Sequence, residues 1–475
     1  MSVAATTPRF KANVHEALHD LRLQGALPHA RNFIGRRADA AARLPEFDAL
    51  RDSARAIKDH TLAHLDLYLE AYEKKVVEAG GHVHYARDSD EAVAVILGIC
   101  KARDAKVVTK GKSMISEEIG LNAALEREGI NAVETDLGEY VIQLRGEAPS
   151  HIIAPAIHVS RDDIEADFRR AHRDLAPDRD LSQPEQLLGE ARAILRDRFL
   201  SADIGLTGAN FLVAETGTSI IVTNEGNGDL TQILPKVHVV LASLEKITPT
   251  LNDVAQILRV LARSATGQDM SVYTTLSTGP RRPGDPDGPE EYHVVLLDNG
   301  RSATLGGPFA EMLRCIRCGA CMNHCPVYHA VGGHAYGWVY PGPMGAVLTP
   351  LLIGVAEGGN LPNASTFCGR CEAVCPMRIP LPKLMRIWRE REFARGLTSP
   401  FARAAIRLWA FFASRPTLYG LAVEPAMRLL ARIGRRRGRF AWLPFAGGWT
   451  RGRDFPAPQG ATFQSRWRAK SGATR

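Results

Sequence analysis

The chain has 475 residues, 45% hydrophobic and 23% charged, a balance that supports a buried core and excludes a disordered or fibrous protein. At roughly 100–200 residues per domain it has room for two or three. The net charge of +7 is uneven: residues 401–475 hold 15 Lys+Arg against 2 Asp+Glu, a local +13, which leaves −6 for the rest and confines the basic character to a tail.

MSVAATTPRFKANVHEALHDL has no apolar signal core. No uncharged run reaches the length of about 18 apolar residues that a spanning helix needs. From Glu46 to Gly80, the residues Phe47, Leu50, Ala54, Ile57, Leu65, Tyr72 and Val76 recur at mostly three- and four-residue steps. This predicts one helix with a buried face, ended by Gly80 and Gly81. Beyond it HVHYA, AKVVTKG and INAVETD read as strands. They alternate with the helices EAVAVILGICKA, which Asp88 and Glu91 would open as a capping box, and SEEIGLNAALEREG. Such alternation indicates an α/β domain with a largely parallel sheet. NFLVAETGTSIIVTNEGNG predicts two strands around a turn at Thr216–Gly217, and VHVVLAS and EYHVVLL two more. Lys110, Lys112, Asp136 and Glu215 fall near strand ends, where ligands often bind, although ordinary loop charges also sit there.

Residues 301–390 carry little strand signal and seven of the eight cysteines. The eighth, Cys100, lies in an apolar helix and reads as a small buried hydrophobe. After 390 the chain is helical and basic. LWAFFASRPTLYGLAV (408–423) predicts a helical pair, buried or lying on a membrane surface.

CIRCGACMNHCP spaces its thiols as Cys315-x2-Cys318-x2-Cys321-x3-Cys325-Pro326, the bacterial ferredoxin run for a [4Fe–4S] cluster. A second group, Cys368, Cys371 and Cys375 before Pro376, has Ser365 where a first cysteine would stand. In two-cluster ferredoxins the fourth cysteine of a run serves the other cluster. That rule gives Cys315, Cys318, Cys321 and Cys375 to one cluster and Cys325, Cys368 and Cys371 to another. If each run served its own cluster, the second would hold Cys368, Cys371 and Cys375. Either way it is one thiolate short. Ser365, a water or substrate oxygen, or one of His324, His329 and His334 can take the open position, or the cluster can have three irons. Structural zinc sites close with four Cys/His ligands, usually in paired spacings, which this pattern does not follow. The segment between the runs, rich in Gly, Pro and aromatics, predicts irregular backbone, then a helix over AVLTPLLIGVA. It would form either a docking loop or a water-excluding cover.

KGKSM (110–114) resembles the end of a phosphate loop, but Lys106 occupies the required first glycine. The glycines of GGHAYG (332–337) have the wrong spacing for a dinucleotide fingerprint. Hydride chemistry therefore has no visible cofactor site on this chain.

SMISEEIGLNAALEREGINAVETDLGEYVIQL, PSHIIAPAIH and LTGANFLVAETGTSIIVTNEGNGDL resemble the LUD domain of the lactate-utilisation protein B family. CIRCGACMNHCPVYHAVGGHAYGWVYPGPMGAVLTPLL with CGRCEAVCP is similar to its cluster region. The resemblance implies a NagB/ribose-5-phosphate isomerase/CoA-transferase-like α/β domain and an α-helical ferredoxin-like domain. It also implies two [4Fe–4S] clusters ligated in the crossed arrangement, with three cysteines on the second as a family trait. The expected domains are 1–80 (helical), 81–300 (LUD), 301–392 (clusters) and 393–475 (basic). The expected role is electron transfer in a cytoplasmic complex oxidising L-lactate to pyruvate. Its expected partners are a cysteine-rich iron–sulfur protein and a second LUD-domain protein. The basic tail offers peripheral membrane contact, and no nucleic-acid partner is expected. The alternatives are an enzyme binding the 2-hydroxy acid at the open iron of the three-thiolate cluster, or a metabolite-sensing binding protein.

Overall fold

The β-branched runs that alternate with helices assemble into one parallel sheet. Its strands are β1 (His82–Ala86), β2 (Val107–Gly111), β3 (Asn131–Glu134), β4 (Ile204–Thr207), β7 (Val237–Ser243) and β10 (Glu291–Leu297), in the order β1-β10-β7-β4-β2-β3. Every pairing is parallel, with Val108, for instance, opposite Ala132 on β3 and Ile204 on β4. A second sheet of β5 (Phe211–Val213), β6 (Thr218–Thr223), β8 (Ile247–Thr248) and β9 (Tyr273–Ser277) has the order β8-β5-β6-β9. Its β5–β6 hairpin turns at Thr216–Gly217, where Gly217 takes φ +70°. The computed structural model describes residues 5–111, 113–444, 446–450 and 452–472. It divides into two units, Met1–Glu392 and Phe393–Arg475.

All seven residues of β7 are buried, as expected of a central parallel strand covered on both faces. Because side chains alternate across a strand, Val239 and Leu241 enter one apolar cluster and Val240 and Ala242 another. The predicted 46–80 helix is two helices, α1 (Phe47–Ala63) and α2 (Leu65–Glu78), parted where His64 leaves helical geometry at φ −128°, ψ +36°. The break re-aims the chain. Tyr72 and Val76 of α2 then cover one sheet face with Leu212 and Ile247, while α1 packs with Phe211, Val213 and the cysteine region. The opposite sheet face is covered by α3 (Ser89–Ala102) and two short helices. Those two, Met114–Glu118 and Leu121–Arg127, replace the single helix predicted over 116–129, because Gly120 adopts φ +65°. At α3 only half of the predicted capping box forms. Asp88 caps the Glu91 N–H, but the Glu91 carboxylate takes the N–H of Arg87 rather than of Asp88.

Close backbone approach explains one glycine in the sheet. A Cβ on Gly205 would lie 1.8 Å from the Thr231 carbonyl oxygen, whereas one on Gly98, inside α3, would meet nothing within 4 Å. Gly205→Ala is therefore expected to cost about 3 kcal/mol in urea denaturation. Gly98→Ala should add about 0.5–1 kcal/mol by improving helix propensity.

The helix α4 (Leu251–Ala265), opened by a Thr250–Asp253 capping box, packs against α1. In the cysteine region α5 (Gly342–Ile353) begins four residues before the predicted AVLTPLLIGVA, with Pro343 in its first turn. Residues 338–350 are buried throughout, so this stretch covers the cysteines rather than docking a partner.

In the second unit, α6 (Pro400–Ala413) and α7 (Pro416–Gly434) form the predicted helical pair. The pair is not buried: α6 buries no residue, and Phe401, Trp409 and Leu421 are exposed. Among the described residues no helix is long and apolar enough to cross a membrane.

Candidate metal centre

The two cysteine runs fold alike. In the first, Arg317 takes φ +56° and Gly319 φ +74°, and a short helix, Ala320–Asn323, follows. In the second, Phe367 takes φ +53° and Gly369 φ +78°, and Arg370–Val374 follows. Two left-handed positions in each run curl the loop so that its side chains converge. Counting back from each glycine, Ser365 stands where Cys315 stands. The Arg317 N–H donates to the Cys315 sulfur at 3.4 Å, and the Phe367 N–H donates to the Ser365 hydroxyl oxygen at 3.1 Å.

The seven sulfurs line two cavities. Cys315, Cys318, Cys321 and Cys375 line one, walled by Met344 and Met377, with about 370 Å³ of non-atom space. Cys325, Cys368 and Cys371 line the other, with Ser365, His324 and Tyr336, around about 410 Å³. Each cavity thus draws cysteines from both runs. Cys368 is exposed, whereas Cys318, Cys371 and Cys375 are buried, so the three-thiol cavity is the one nearer solvent. The Tyr336 hydroxyl hydrogen-bonds the Cys325 sulfur.

The donor set fits iron–sulfur clusters. Burial and the neighbouring Cys375 push the Cys318 thiol up to about 12, and burial pushes Cys375 up to about 11 and Cys371 up to about 12. Sulfurs this dry stay ionised only beside a cation. A single zinc with bonds of about 2.3 Å would hold its sulfurs roughly 3.8 Å apart. Among the described residues only Glu147, His158 and His334 bring three ligand atoms within 4.8 Å of one another, and no three cysteines do. The cysteines are thus spread for a multi-iron group. The Glu147 trio is satisfied by protein partners. His158 Nε2 lies 2.8 Å from Glu147, which also pairs with Arg145 at 3.0 Å, and His334 Nε2 donates to the Ala148 carbonyl.

Of the three histidines raised by the sequence, His324 lines the three-thiol cavity, while His329 and His334 line neither. Burial lowers His324 to about 4, and its Nδ1 donates to the Ala320 carbonyl. The strand-end charges have structural roles. Lys110 is buried against Glu134 at 2.6 Å, Asp136 caps a helix through the Gly138 and Glu139 N–H groups, and Glu215 accepts from the Leu251 N–H. Lys112 lies outside the described residues.

Two arginine groups went unnoticed in the sequence. Arg51, 5% exposed, holds the Cys375 carbonyl at 2.7 Å and the Ala373 carbonyl at 2.7 Å, and Arg37 holds the Val374 carbonyl at 3.0 Å. The signal was available, because Arg51 and Lys58 fall on the same stripe of α1 as Phe47, Leu50 and Ala54. A charge on an apolar stripe needs a buried partner. The second group links the sheet to the first run. Arg301 pairs with Glu118 at 2.7 Å and Glu245 at 3.1 Å, Arg317 pairs with Glu245 at 3.2 Å, and the Tyr340 hydroxyl donates to Glu118 at 2.6 Å. Glu118 belongs to the segment SEEIGLNAALEREG, for which the sequence predicts only a helix.

Burial opposes ionisation of Glu245, but Arg301 and then Arg317 hold its carboxyl at about 2 against an ordinary 4.5. A depressed carboxylate contributes stability above its unfolded value and loses it as pH falls through the folded one. The urea midpoint should therefore drop between pH 4.5 and about 2, and the drop should be shallower in Glu245→Gln than in the parent chain.

Three family models cover the chain: the LUD domain over residues 69–297, a 4Fe-4S dicluster domain over 311–379, and the C-terminal domain of lactate utilisation protein B over 385–471. An uncharacterized electron transport protein, YkgF, of Escherichia coli (strain K12) is 41% identical over 98% of this chain and 97% of its own. Lactate utilization protein B of Bacillus licheniformis is 41% identical, and that of Bacillus subtilis (strain 168) 39%, each over 98% of this chain and 97% of its own. A solved DUF162 family protein of Deinococcus radiodurans covers 49% of this chain and 98% of its own at 14% identity and a TM-score of 0.27, too slight a likeness to bear on the fold. With three domain models in register along the sequence and relatives matched end to end, the chain belongs to the lactate utilisation protein B family.

Proposed function

We propose that the chain is the iron–sulfur electron-transfer subunit of a cytoplasmic system that oxidises L-lactate to pyruvate. The observation that carries this reading is the division of seven cysteines, drawn from both runs, between a four-thiol and a three-thiol cavity. Cys315, Cys318, Cys321 and Cys375 would hold one cluster, and Cys325, Cys368 and Cys371 the other. Two [4Fe–4S] clusters supply one-electron steps, and two such steps match the two electrons that a 2-hydroxy acid releases, with two protons, on becoming a 2-oxo acid. The chain's own contribution is to dry the four-thiol cavity, hold the Cys375 turn through Arg51, and present the three-thiol cavity at the surface for exchange with a partner. The names of the relatives support lactate as the acid and electron transport as the role. The partners in this reading are a cysteine-rich iron–sulfur protein and a second LUD-domain protein. The α/β domain in it is of the NagB/ribose-5-phosphate isomerase/CoA-transferase type, with the parallel sheet in support.

Ser365 is our choice for the open position of the second cluster, since its oxygen occupies the place of the Cys315 sulfur and accepts the equivalent N–H. Anaerobically reconstituted protein should carry about eight irons, and L-lactate should reduce it in the presence of the partners, as read by electron paramagnetic resonance. Two irons or fewer per chain overturn the reading. Ser365→Ala should drop the count to about seven with a three-iron signal, and Ser365→Cys should keep about eight. Retention of the full count in Ser365→Ala with loss in His324→Ala would move the ligand to the histidine.

A further inference from the structure

The order in which strands are added reverses within the parallel sheet. From β2 the chain passes outward to β3, then returns to β4 on the other side of β2 and proceeds to β7 and β10. The crevice outside the carboxyl ends of strands at such a reversal is where open α/β sheets bind ligands. Here a cavity with about 1030 Å³ of non-atom space lies there, lined by Ser113 beyond β2, Asn210 beyond β4 and Lys246 beyond β7. Its far side is formed by Arg317 and Cys318 of the first cysteine run. It therefore touches both the sheet and the four-thiol cavity, which shares Arg317 and Cys318.

Lys246 is 7% exposed and has neither a hydrogen-bond acceptor nor an ion-pair partner among the described residues. Its cationic neighbours are committed elsewhere. Arg317 is held by Glu245 at 3.2 Å and the Ser243 hydroxyl, Arg301 by Glu118 and Glu245, and Lys58 by the Glu245 and Ile247 carbonyls. Burial and then Arg317 lower Lys246 to about 7, and here it borders open space in which an anion would restore the ammonium. Asn210 adds a second donor: its Oδ1 accepts the Val222 N–H at 2.8 Å, and its amide NH2 has no acceptor among the described residues. Leu241 and Leu261 supply an apolar wall.

We propose that this cavity binds a small monocarboxylate of the 2-hydroxy or 2-oxo acid class, with Lys246 as counter-ion to the carboxylate and Asn210 as donor to the oxygen on carbon 2. The cavity has room for a molecule of about six heavy atoms between Lys246, Asn210 and the leucine wall. Lys246 and Arg317 line the cavity with a single carboxylate, Glu139, which favours an anion, and the leucine wall favours a short alkyl group over an inorganic dianion. The identity of the acid rests on the proposed role in lactate oxidation, while the existence of the site rests on the cavity and its unpaired lysine.

The test uses iron-replete, full-length protein without partners, titrated calorimetrically with L-lactate and with pyruvate. One saturable site per chain is expected, weakened about tenfold or more in Lys246→Met while iron content and melting temperature stay at the parent's values. Inorganic phosphate and sulfate should not compete. No saturable heat, binding unchanged in Lys246→Met, or equal binding of phosphate overturns the inference and leaves the electron-transfer reading standing, because iron content is measured separately. Should Lys246→Met fail to fold, the parent protein still decides. L-lactate is expected to protect Lys246 from an amine-reactive label mapped by peptide mass, and equal labelling with and without lactate overturns the site.

Discussion

Cys318→Ser and Cys375→Ser, though 57 positions apart and in different runs, should cost the same iron. Each is expected to take reconstituted protein from about eight irons to about four, and the double variant should lose no more than either alone. Cys318→Ser combined with Cys325→Ser, two neighbours in one run, should instead empty both cavities. The physical basis is the placement of Cys375 beside Cys315, Cys318 and Cys321 and of Cys325 beside Cys368 and Cys371. A polar oxygen in place of one sulfur loses a soft ligand from a dry cavity. Iron analysis with electron paramagnetic resonance of the remaining cluster reads the result. If Cys325→Ser rather than Cys375→Ser acted with Cys318→Ser as one unit, each run would serve its own cluster.

The second large effect lies in the buried ion network. Arg301→Met is expected to destabilise the first unit by about 3–5 kcal/mol, because it leaves Glu118 and Glu245 in the interior without their principal counter-ion. Arg301 is 2% exposed and Glu118 fully buried. Urea denaturation followed by circular dichroism gives the magnitude. Glu118 ends the short helix that follows β2, Glu245 lies just beyond β7, and Arg317 lies between Cys315 and Cys318. The same variant should therefore make the four-thiol cavity lose iron faster to a chelator, with little change at the other. Arg301→Lys should recover part of the stability, since it restores the charge but not the bridge to both carboxylates.

The strands were legible because their signal is local. The near-continuous apolar run of Val237–Ser243 and the short apolar stretches at 107–111 and 131–134 depend only on residues near in sequence. Helix ends were less so. A single apolar stripe runs through α1 and α2, and nothing in it marks His64 as a break; the break follows from α2 having to meet the sheet while α1 meets the cysteine region. The exposure of α6 was likewise beyond the pattern, because an amphipathic helix has the same periodicity whether or not its apolar face is covered. In the site, the thiols and the gap at Ser365 were readable from spacing. The burial of Arg51 was readable from its stripe, but its partners were not, nor were the roles of Arg301 and Glu118, since those partners are distant in the chain.

By itself the sequence determined the chemistry on offer: seven soft ligands in two runs, one run a ligand short, no hydride cofactor motif, and a basic tail. The tertiary structure decided how the thiols divide between two cavities, which of these lies nearer solvent, and that an unpaired lysine faces a cavity beside the first run. The reason is that ligand type and spacing are carried by neighbouring residues, whereas cavities, buried charge partners and exposure arise only when segments hundreds of residues apart pack together.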